Sequence, residues 1–421
     1  MTLRKVAEDF PILSREGRGG TRLVYLDTGA TSLRPRQVME AMASFESTSY
    51  GAVNRGSHIL AEESTLEVED ARVSVAQFVG ADPEEIVWTH GTTEGLNLLA
   101  YAIHNAQWDM GIRGSERYRV GPGDTVVVTR VEHHANLLPW QELCRKTGAQ
   151  LRWLDVDEYG RINTDTLNVI NENTKIVAFT HVSNVVGAVS PVGKIVDKAR
   201  EVGAITVLDA CQSVPHMPVD FHALGVDFAV FSGHKMYGPT GVGVLYGKRS
   251  MLRKLPPFLT GGSMIDYVTM EHTEYSAPPR RFEAGTQPVT QIIGLAAAVD
   301  YLTRIGMDKV REHETHLIRR ALEGMKNIPG IRILGGPDVS DHSGLISFDV
   351  EGVHPHDVGQ FFDAQGICVR VGHHCAQPVH DFFNVQASTR LSLGVYNTQE
   401  DIDAFLQALA EVRGYFCGKR A

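Results

Sequence analysis

The 421-residue sequence predicts an α/β protein: a large domain on a mainly parallel, helix-covered sheet, then a smaller α/β C-terminal domain. Three observations carry this. Short apolar runs rich in Val and Ile alternate with helix-length segments, the rhythm of buried strands joined by crossover helices. That rhythm changes after about Ala296. A hydrophobic content of 43% with 21% charged residues is ordinary for a globular chain that can bury a substantial core.

The strand candidates, in order, are "EIVWTH", "DTVVVTR", "QLRWLDV", "KIVAFTHV", "AITVLDA", "DFAVFSG" and "GVGVLYG". The last two lie too close together for a crossover helix, so an antiparallel or irregular connection is expected there. The stretch "NAQWDMGIRGSERYRVGPGD" has turn residues and no period, and reads as a surface insertion. Beyond Ala296, a helical run "HETHLIRRALEGMKN" leads to the strands "GLISFDV", "GICVRVG" and "STRLSLG". The final helix, "TQEDIDAFLQALAEV", takes Thr398 as its N-cap, with acidic residues in its first turn.

Composition narrows the function. A net charge of -10 argues against a broad nucleic-acid footprint. No stretch is long and apolar enough to span a bilayer, and the first twenty residues do not read as a secretory signal. Five scattered cysteines, an odd number, suit a reducing cytoplasm better than a disulfide framework.

The chemistry centres on "FSGHKMYGPTG", residues 231–241. Lys235 follows an apolar strand inside a glycine-rich turn. It is either a plain loop lysine or an amine held near a pocket, able to attack a carbonyl carbon. Asp209 ends the strand of "VLDACQS", with Gln212 three residues on. A carboxylate there faces ligands in open α/β sheets, and could hold a pyridinium nitrogen protonated; alternatively it caps the next helix. "WTHGTTEGLN" offers a helix start and the Thr92 and Thr93 hydroxyls as a seat for an anion, or else a plain cap with Glu94. His133 follows another strand end, where an imidazole can lie on an aromatic cofactor or shuttle a proton. "VRVGHHCAQPV" sets His373 and His374 against Cys375. This is a metal site, a nucleophile or a structural knot; no zinc-type spacing accompanies it. Dinucleotide, P-loop and nucleophile-elbow motifs are absent.

Taken together, "YLDTGATSLRP", "VNRGSHIL", "HGTTEGLN", "EHHANLLPWQ", "HVSNVVGAV", "DACQSVPH", "FSGHKMYGPTGVGVLYG", "GGSMI", "FEAGT", "RVGHHCAQP" and "TRLSLGVYNT" resemble the class V aminotransferase group of pyridoxal-phosphate enzymes. Within it, the chain resembles group II (SUF-type) cysteine desulfurases over nearly its whole length. Gly29, Ser57 and the long insertion after His104 depart from the common pattern. The resemblance implies a fold-type I transferase with a seven-stranded sheet. It implies an N-terminal segment (1–24) packing with the small domain, a cofactor-binding large domain (25–295) and a small domain (296–421) carrying the cysteine loop.

It also implies roles. Lys235 carries pyridoxal 5′-phosphate as a Schiff base. Asp209 pairs with the ring nitrogen, Gln212 reaches the ring hydroxyl and His133 stacks on the ring. Thr92, Thr93, Ser232 and His234 surround the phosphate, joined by Thr286 of a second subunit, so a homodimer is expected. Arg390, Arg370 and Asn184 bind substrate, Asn184 also contacting the cofactor, and Cys375 accepts sulfur from L-cysteine. The implied product is alanine, with a persulfide on Cys375 that passes to a small SufE-like or SufU-like acceptor for iron–sulfur cluster assembly. The rivals are a selenocysteine lyase or other class V enzyme, and a zinc-binding sulfur-assembly scaffold. His373 or His374, if protonated nearby, could raise the thiolate fraction of Cys375. The other four cysteines, Cys144, Cys211, Cys368 and Cys417, carry no expected function.

Overall fold

The computed structural model describes residues 3–54, 56–108 and 110–418. Its strands are β1 (Val24–Tyr25), β2 (Ile86–Thr89), β3 (Thr125–Thr129), β4 (Gln150–Leu154), β5 (Thr174–Thr180), β6 (Ile205–Asp209), β7 (Phe228–Ser232), β8 (Gly243–Gly247), β9 (Ile265–Val268), β10 (Thr273–Tyr275), β11 (Ile331–Leu334), β12 (Leu345–Val350), β13 (Ile367–Cys368), β14 (Arg370–Gly372) and β15 (Ser388–Ser392).

The large sheet has seven strands in the order β2-β8-β7-β6-β5-β3-β4. All seven match the apolar runs read from the sequence. β8 alone runs against its neighbours; the other pairings are parallel. The expected antiparallel link is therefore the one between β7 and β8. Both faces of the central strands are covered, which is why they read as unbroken apolar runs. Val127, Val177, Phe179, Leu208 and Phe231 point into one core; Val126, Val128, Ile176, Val207 and Val230 point into the other. Each such buried side chain contributes on the order of 1.5–3 kcal/mol of transfer free energy. One edge of this sheet collects the C-terminal ends of β2, β3, β5, β6 and β7. Ligands bind at that edge in open α/β sheets.

The insertion is irregular but not merely superficial. Its short 3-10 turn Ser115–Tyr118 buries Tyr118, whose hydroxyl donates to Met251 O at 2.9 Å.

The change of pattern expected after Ala296 falls inside a continuous helix, Val289–Ile305, which packs on the large-domain helices Arg36–Thr48 and Ile59–Phe78. A second helix, Met307–Met325, starts beyond Gly306 and covers an antiparallel sheet ordered β11-β12-β15-β14. β11 and the β9–β10 hairpin went unread in the sequence. "GICVRVG" splits at Val369. Ile367–Cys368 pairs in parallel with Val24–Tyr25, whereas Arg370–Gly372 pairs with β15 and sets Arg370 opposite Arg390. Thr398 caps the last helix, Gln399–Cys417, and Asp401 completes a capping box.

The N-terminal segment touches both parts. Phe10 is buried against Tyr237, Tyr301 and Tyr396, while Arg18 and Arg22 pair with Asp363 and Asp401. Met1 and Thr2 lie outside the described residues, as do Arg55 of "VNRGSHIL" and Asp109 of the insertion.

Candidate active site

The strand ends converge on a cavity of about 220 Å³. Thr92, Thr93, His133, Asn184, Asp209, Gln212, Ser232, His234, Lys235, Arg370 and Arg390 all line it. Residues as far apart in the chain as Thr92 and Arg390 are thus brought together. Thr286 is not among them: with Asn54 and Glu283 it lines a separate cavity of about 30 Å³.

Lys235 closes the one-turn 3-10 segment Gly233–Lys235 at the end of β7. Its Nζ makes no hydrogen bond or ion pair among the described residues, so the amine is unspent. Asp209 is 4% exposed; its Oδ1 accepts from Cys211 N at 3.0 Å. Burial raises its pKa, against the pull of Lys235. Gln212 donates through Nε2 to Gly29 O at 2.9 Å, which leaves Oε1 buried without a donor. His133 accepts at Nδ1 from Ala135 N at 3.0 Å, so the neutral ring carries its proton on Nε2. Burial first, then Lys235, pushes its pKa down to about 3. The same two causes push His234 down to about 4.

The helix Thr92–Asn105 starts at Gly91, whose φ of 151° a side-chain residue rarely adopts. Thr92 and Ser232 meet each other: Ser232 Oγ lies 2.8 Å from both Thr92 N and Thr92 Oγ1. Thr93 is exposed and faces the cavity.

On the small-domain side, Arg390 is fully buried. It donates through Nη1 to Asn184 O at 2.9 Å, and its Nη2 faces Asp27 Oδ1 at 3.5 Å, an ion pair too long for a hydrogen bond. Nε and Nη2 therefore stay buried with no hydrogen-bond partner. Burial lowers its pKa to about 10, opposed by Asp27, so the guanidinium stays charged at neutral pH. Its charge and these two free donors suit an anion, beside the Asp27 carboxylate it already faces.

Cys375 is half-buried on a loop that needs support. His374 and Cys375 both adopt left-handed backbone, φ 51° and 56°, at a cost of about 1–2 kcal/mol each. Asn184 Nδ2 donates to His374 O at 2.6 Å, and His134 N donates to Cys375 O at 2.7 Å. His134 Nε2 also accepts from Gln377 N at 3.1 Å. Arg370 Nη2 approaches Cys375 Sγ at 3.9 Å. His134 had no assigned part in the sequence reading; only its place beside His133 pointed to it. Glu132 also went unread. It is buried at the end of β3, accepts from Thr129, Asn136 and Thr180, and burial pushes its pKa up to about 8.

Burial disfavours the idea that His374 is a cation activating the thiol. Its Nε2 meets Ser388 Oγ at 2.9 Å, and burial holds its pKa down at about 2. His373 is exposed. Among the described residues, the group whose potential metal-ligand atoms come together is Asp82, Glu85 and His222, not His373, His374 and Cys375. Glu85 and Asp82 are a helix-capping pair there. Cys144 and Cys211 are buried, Cys368 is half-buried, and the Cys417 side chain lies outside the described residues.

Cys375 opens on a second, larger cavity of about 430 Å³, which shares Thr93, His133 and Ala135 with the first. The thiol and the Lys235 pocket thus meet across His133.

The aminotransferase class-V family model matches residues 24–405. The chain belongs to the class V aminotransferase family. Its curated relatives include a probable cysteine desulfurase 2 of Mycobacterium leprae, 51% identical over 99% of this chain and 98% of that protein. A cysteine desulfurase of Enterobacter sp. is 43% identical over 97% and 98%. Among solved structures, the apo cysteine desulfurase of Thermococcus onnurineus NA1 superposes with a TM-score of 0.90 at 38% identity, covering 97% of this chain and 98% of that one. An Escherichia coli cysteine desulfurase superposes at 0.87 with 34% identity, covering 99% of each. This class V family member therefore has the fold-type I architecture, a mainly parallel sheet flanked by helices. The cavity also suits a pyridoxal phosphate. A buried carboxylate at Asp209 without a cation, the unspent Gln212 Oε1, the free Lys235 amine and a helix start beside Thr93 match a ring nitrogen, a ring hydroxyl, an aldehyde and a phosphate.

Proposed function

We propose that this chain is a group II, SUF-type cysteine desulfurase using pyridoxal 5′-phosphate, and that it supplies sulfur for iron–sulfur cluster assembly. The observation that carries this reading is the clamped Cys375 loop, which meets the Lys235–Asp209–Arg390 cavity across His133. When bound, the cofactor supplies an electron sink for charge at the substrate α-carbon.

The chain's own residues do the rest. Asp209 holds a proton on the ring nitrogen by charge. Gln212 and His133 fix the ring. Thr92, Thr93, Ser232 and His234 hold the phosphate; Ser232 Oγ can accept from Thr92 N and still donate its proton to a phosphate oxygen. Thr286 serves the phosphate of a second copy in a homodimer. Arg390 takes the L-cysteine carboxylate through its unspent Nε and Nη2, an orientation that a charged donor fork fixes well; Arg370 and Asn184 line the same side. The Lys235 amine carries the cofactor between turnovers and moves the α-proton. The Cys375 thiolate attacks the substrate sulfur: an S–S bond forms, the substrate C–S bond breaks, and the β-carbon takes a proton. L-Cysteine and the enzyme thiol become L-alanine and the enzyme persulfide, with no external oxidant or reductant.

The small domain on this reading begins at Gly306 rather than at 296, since the helix Val289–Ile305 packs with the large domain. A cytoplasmic enzyme handing sulfur to a SufE-like or SufU-like acceptor completes the reading. The test is to add L-cysteine to the holoenzyme, quantify alanine, and map the persulfide by mass spectrometry. Alanine with a persulfide on Cys375 is expected. No alanine, or a persulfide confined to another cysteine, would overturn it; a larger rate on L-selenocysteine with none on L-cysteine would make it a selenocysteine lyase.

A further inference from the structure

A chain of buried polar contacts runs behind the cysteine loop. His380 Nδ1 lies 3.1 Å from Ala376 O, His380 Nε2 lies 2.9 Å from Ser388 Oγ, and Ser388 Oγ lies 2.9 Å from His374 Nε2. His380 is 1% exposed, Ser388 0% and His374 3%. Water therefore offers no alternative partners, and hydrogen-bond counting assigns every proton.

A carbonyl oxygen only accepts, so His380 carries its proton on Nδ1. Burial lowers the pKa of this ring and so favours its neutral form at neutral pH, in which Nε2 is an acceptor. Ser388 must spend its single proton there. Toward His374 it can only accept, so His374 carries its proton on Nε2. The lone pair of His374 is then on Nδ1, and that atom is buried with no hydrogen-bond partner.

His374 lines the 220 Å³ cavity together with Arg390. The two residues leave complementary atoms unspent: two donors on Arg390 and one acceptor on His374. A carboxylate fits the donors but cannot serve the acceptor. The α-amine and the thiol of a bound cysteine both can. We infer that Ser388 and His380 are positioning residues that fix His374 in its Nε2–H tautomer, so that His374 Nδ1 accepts a hydrogen bond from an N–H or S–H group of the carboxylate-bearing substrate. This rests on the reading of Arg390 as the substrate-carboxylate site. The Ser388 hydroxyl is the decisive link, because without it His374 can carry its proton on either nitrogen.

The experiment begins with ¹⁵N-histidine-labelled wild-type protein, for which no turnover is needed. His374, assigned by its loss in His374→Gln, should show a protonated Nε2 and a bare Nδ1 at pH 7–8. A protonated Nδ1 in the wild type would overturn the inference, whether or not the protein is a desulfurase. Ser388→Ala should give a tautomer mixture and raise the holoenzyme KM for L-cysteine about five- to tenfold, with kcat changed less than twofold; Ser388→Thr should restore both. A lower melting temperature with unchanged tautomer and KM would mean a purely structural serine and also overturn it. Inhibition by 3-mercaptopropionate and by L-alanine distinguishes the donors. Weaker 3-mercaptopropionate binding in Ser388→Ala points to the thiol, weaker L-alanine binding to the amine, and no change in either overturns the contact. If wild type makes no alanine while the tautomer is as expected, the desulfurase reading fails and the hydrogen-bond assignment stands.

Discussion

Asn184→Ala should loosen the Cys375 loop, and the size of the effect follows from its anchors. Asn184 Nδ2 is the side-chain donor to His374 O, at 2.6 Å in a buried site. Truncation leaves that carbonyl without its donor, at about 1–3 kcal/mol. The loop it restrains already holds two non-glycine residues at φ 51° and 56°, a stored cost of about 2–4 kcal/mol at 1–2 per residue. The remaining anchors are His134 N to Cys375 O, Gln377 N to His134 Nε2, and the His374–Ser388 contact. Losing one of these few ties shifts the opening equilibrium by about 5–150-fold. Hydrogen exchange on apoprotein reads this directly: amides in a peptide spanning 370–380 should exchange faster by that factor, while those of β5 and β6 keep their protection. Iodoacetamide should label Cys375 faster as well. Because the assay contains neither substrate nor cofactor, any role of Asn184 in binding them is excluded from the readout. Exchange within twofold of wild type would show that the left-handed turn is self-supporting, and the clamp argument would be wrong.

Lys235→Ala should abolish alanine formation and the visible absorption of reconstituted protein; full alanine production would remove Lys235 from its role. Asp209→Asn should still take up cofactor but turn over about 10²–10³-fold more slowly, the usual loss for one electrostatic partner of developing charge; near wild-type turnover with cofactor bound would contradict it. Cys375→Ser should bind L-cysteine and keep its melting temperature, yet form neither alanine nor persulfide, because a serine hydroxyl is neither ionised nor thiophilic at neutral pH. Glu132 has a folded-state pKa raised to about 8, so its protonated form contributes stability that is fully present below the unfolded value and lost as pH rises through about 8. Thermal melts from pH 5 to 9 should therefore fall more steeply for wild type than for Glu132→Gln, and parallel curves would refute the assignment.

What was legible in the sequence depended on how far apart the interacting residues lie. β5 to β8 were readable because strands buried on both faces cannot hide polar residues: Thr174–Thr180 has only Lys175 exposed. The antiparallel turn between β7 and β8 was readable from length alone, since the ten residues 233–242 are too few for a crossover. The strand-end position of Asp209 and Lys235 announced a ligand edge for the same local reason. The helix Val289–Ile305 runs unbroken through the change of pattern read at residue 296, because it is apolar around most of its circumference and gives no local signal there. β11 escaped because two of its four residues are half-buried and one is exposed, so its pattern is that of an edge strand rather than a core run. The supports of the cysteine loop escaped for a deeper reason. His134 meets Gln377 across 243 positions, and Asn184 meets His374 across 190. No periodicity records such a contact. The local sequence leaves Cys375 open between nucleophile, metal ligand and structural residue, and the backbone that presents it is held by residues whose local context advertises only the other end of the same cavity. On the proposed reading, a nucleophile that reaches substrate and later hands on sulfur needs a loop strained enough to move and clamped enough to return. The left-handed pair His374–Cys375 and its two carbonyl anchors supply those opposing terms at comparable magnitude, so a change of about 1–3 kcal/mol at Asn184 is large enough to shift the balance.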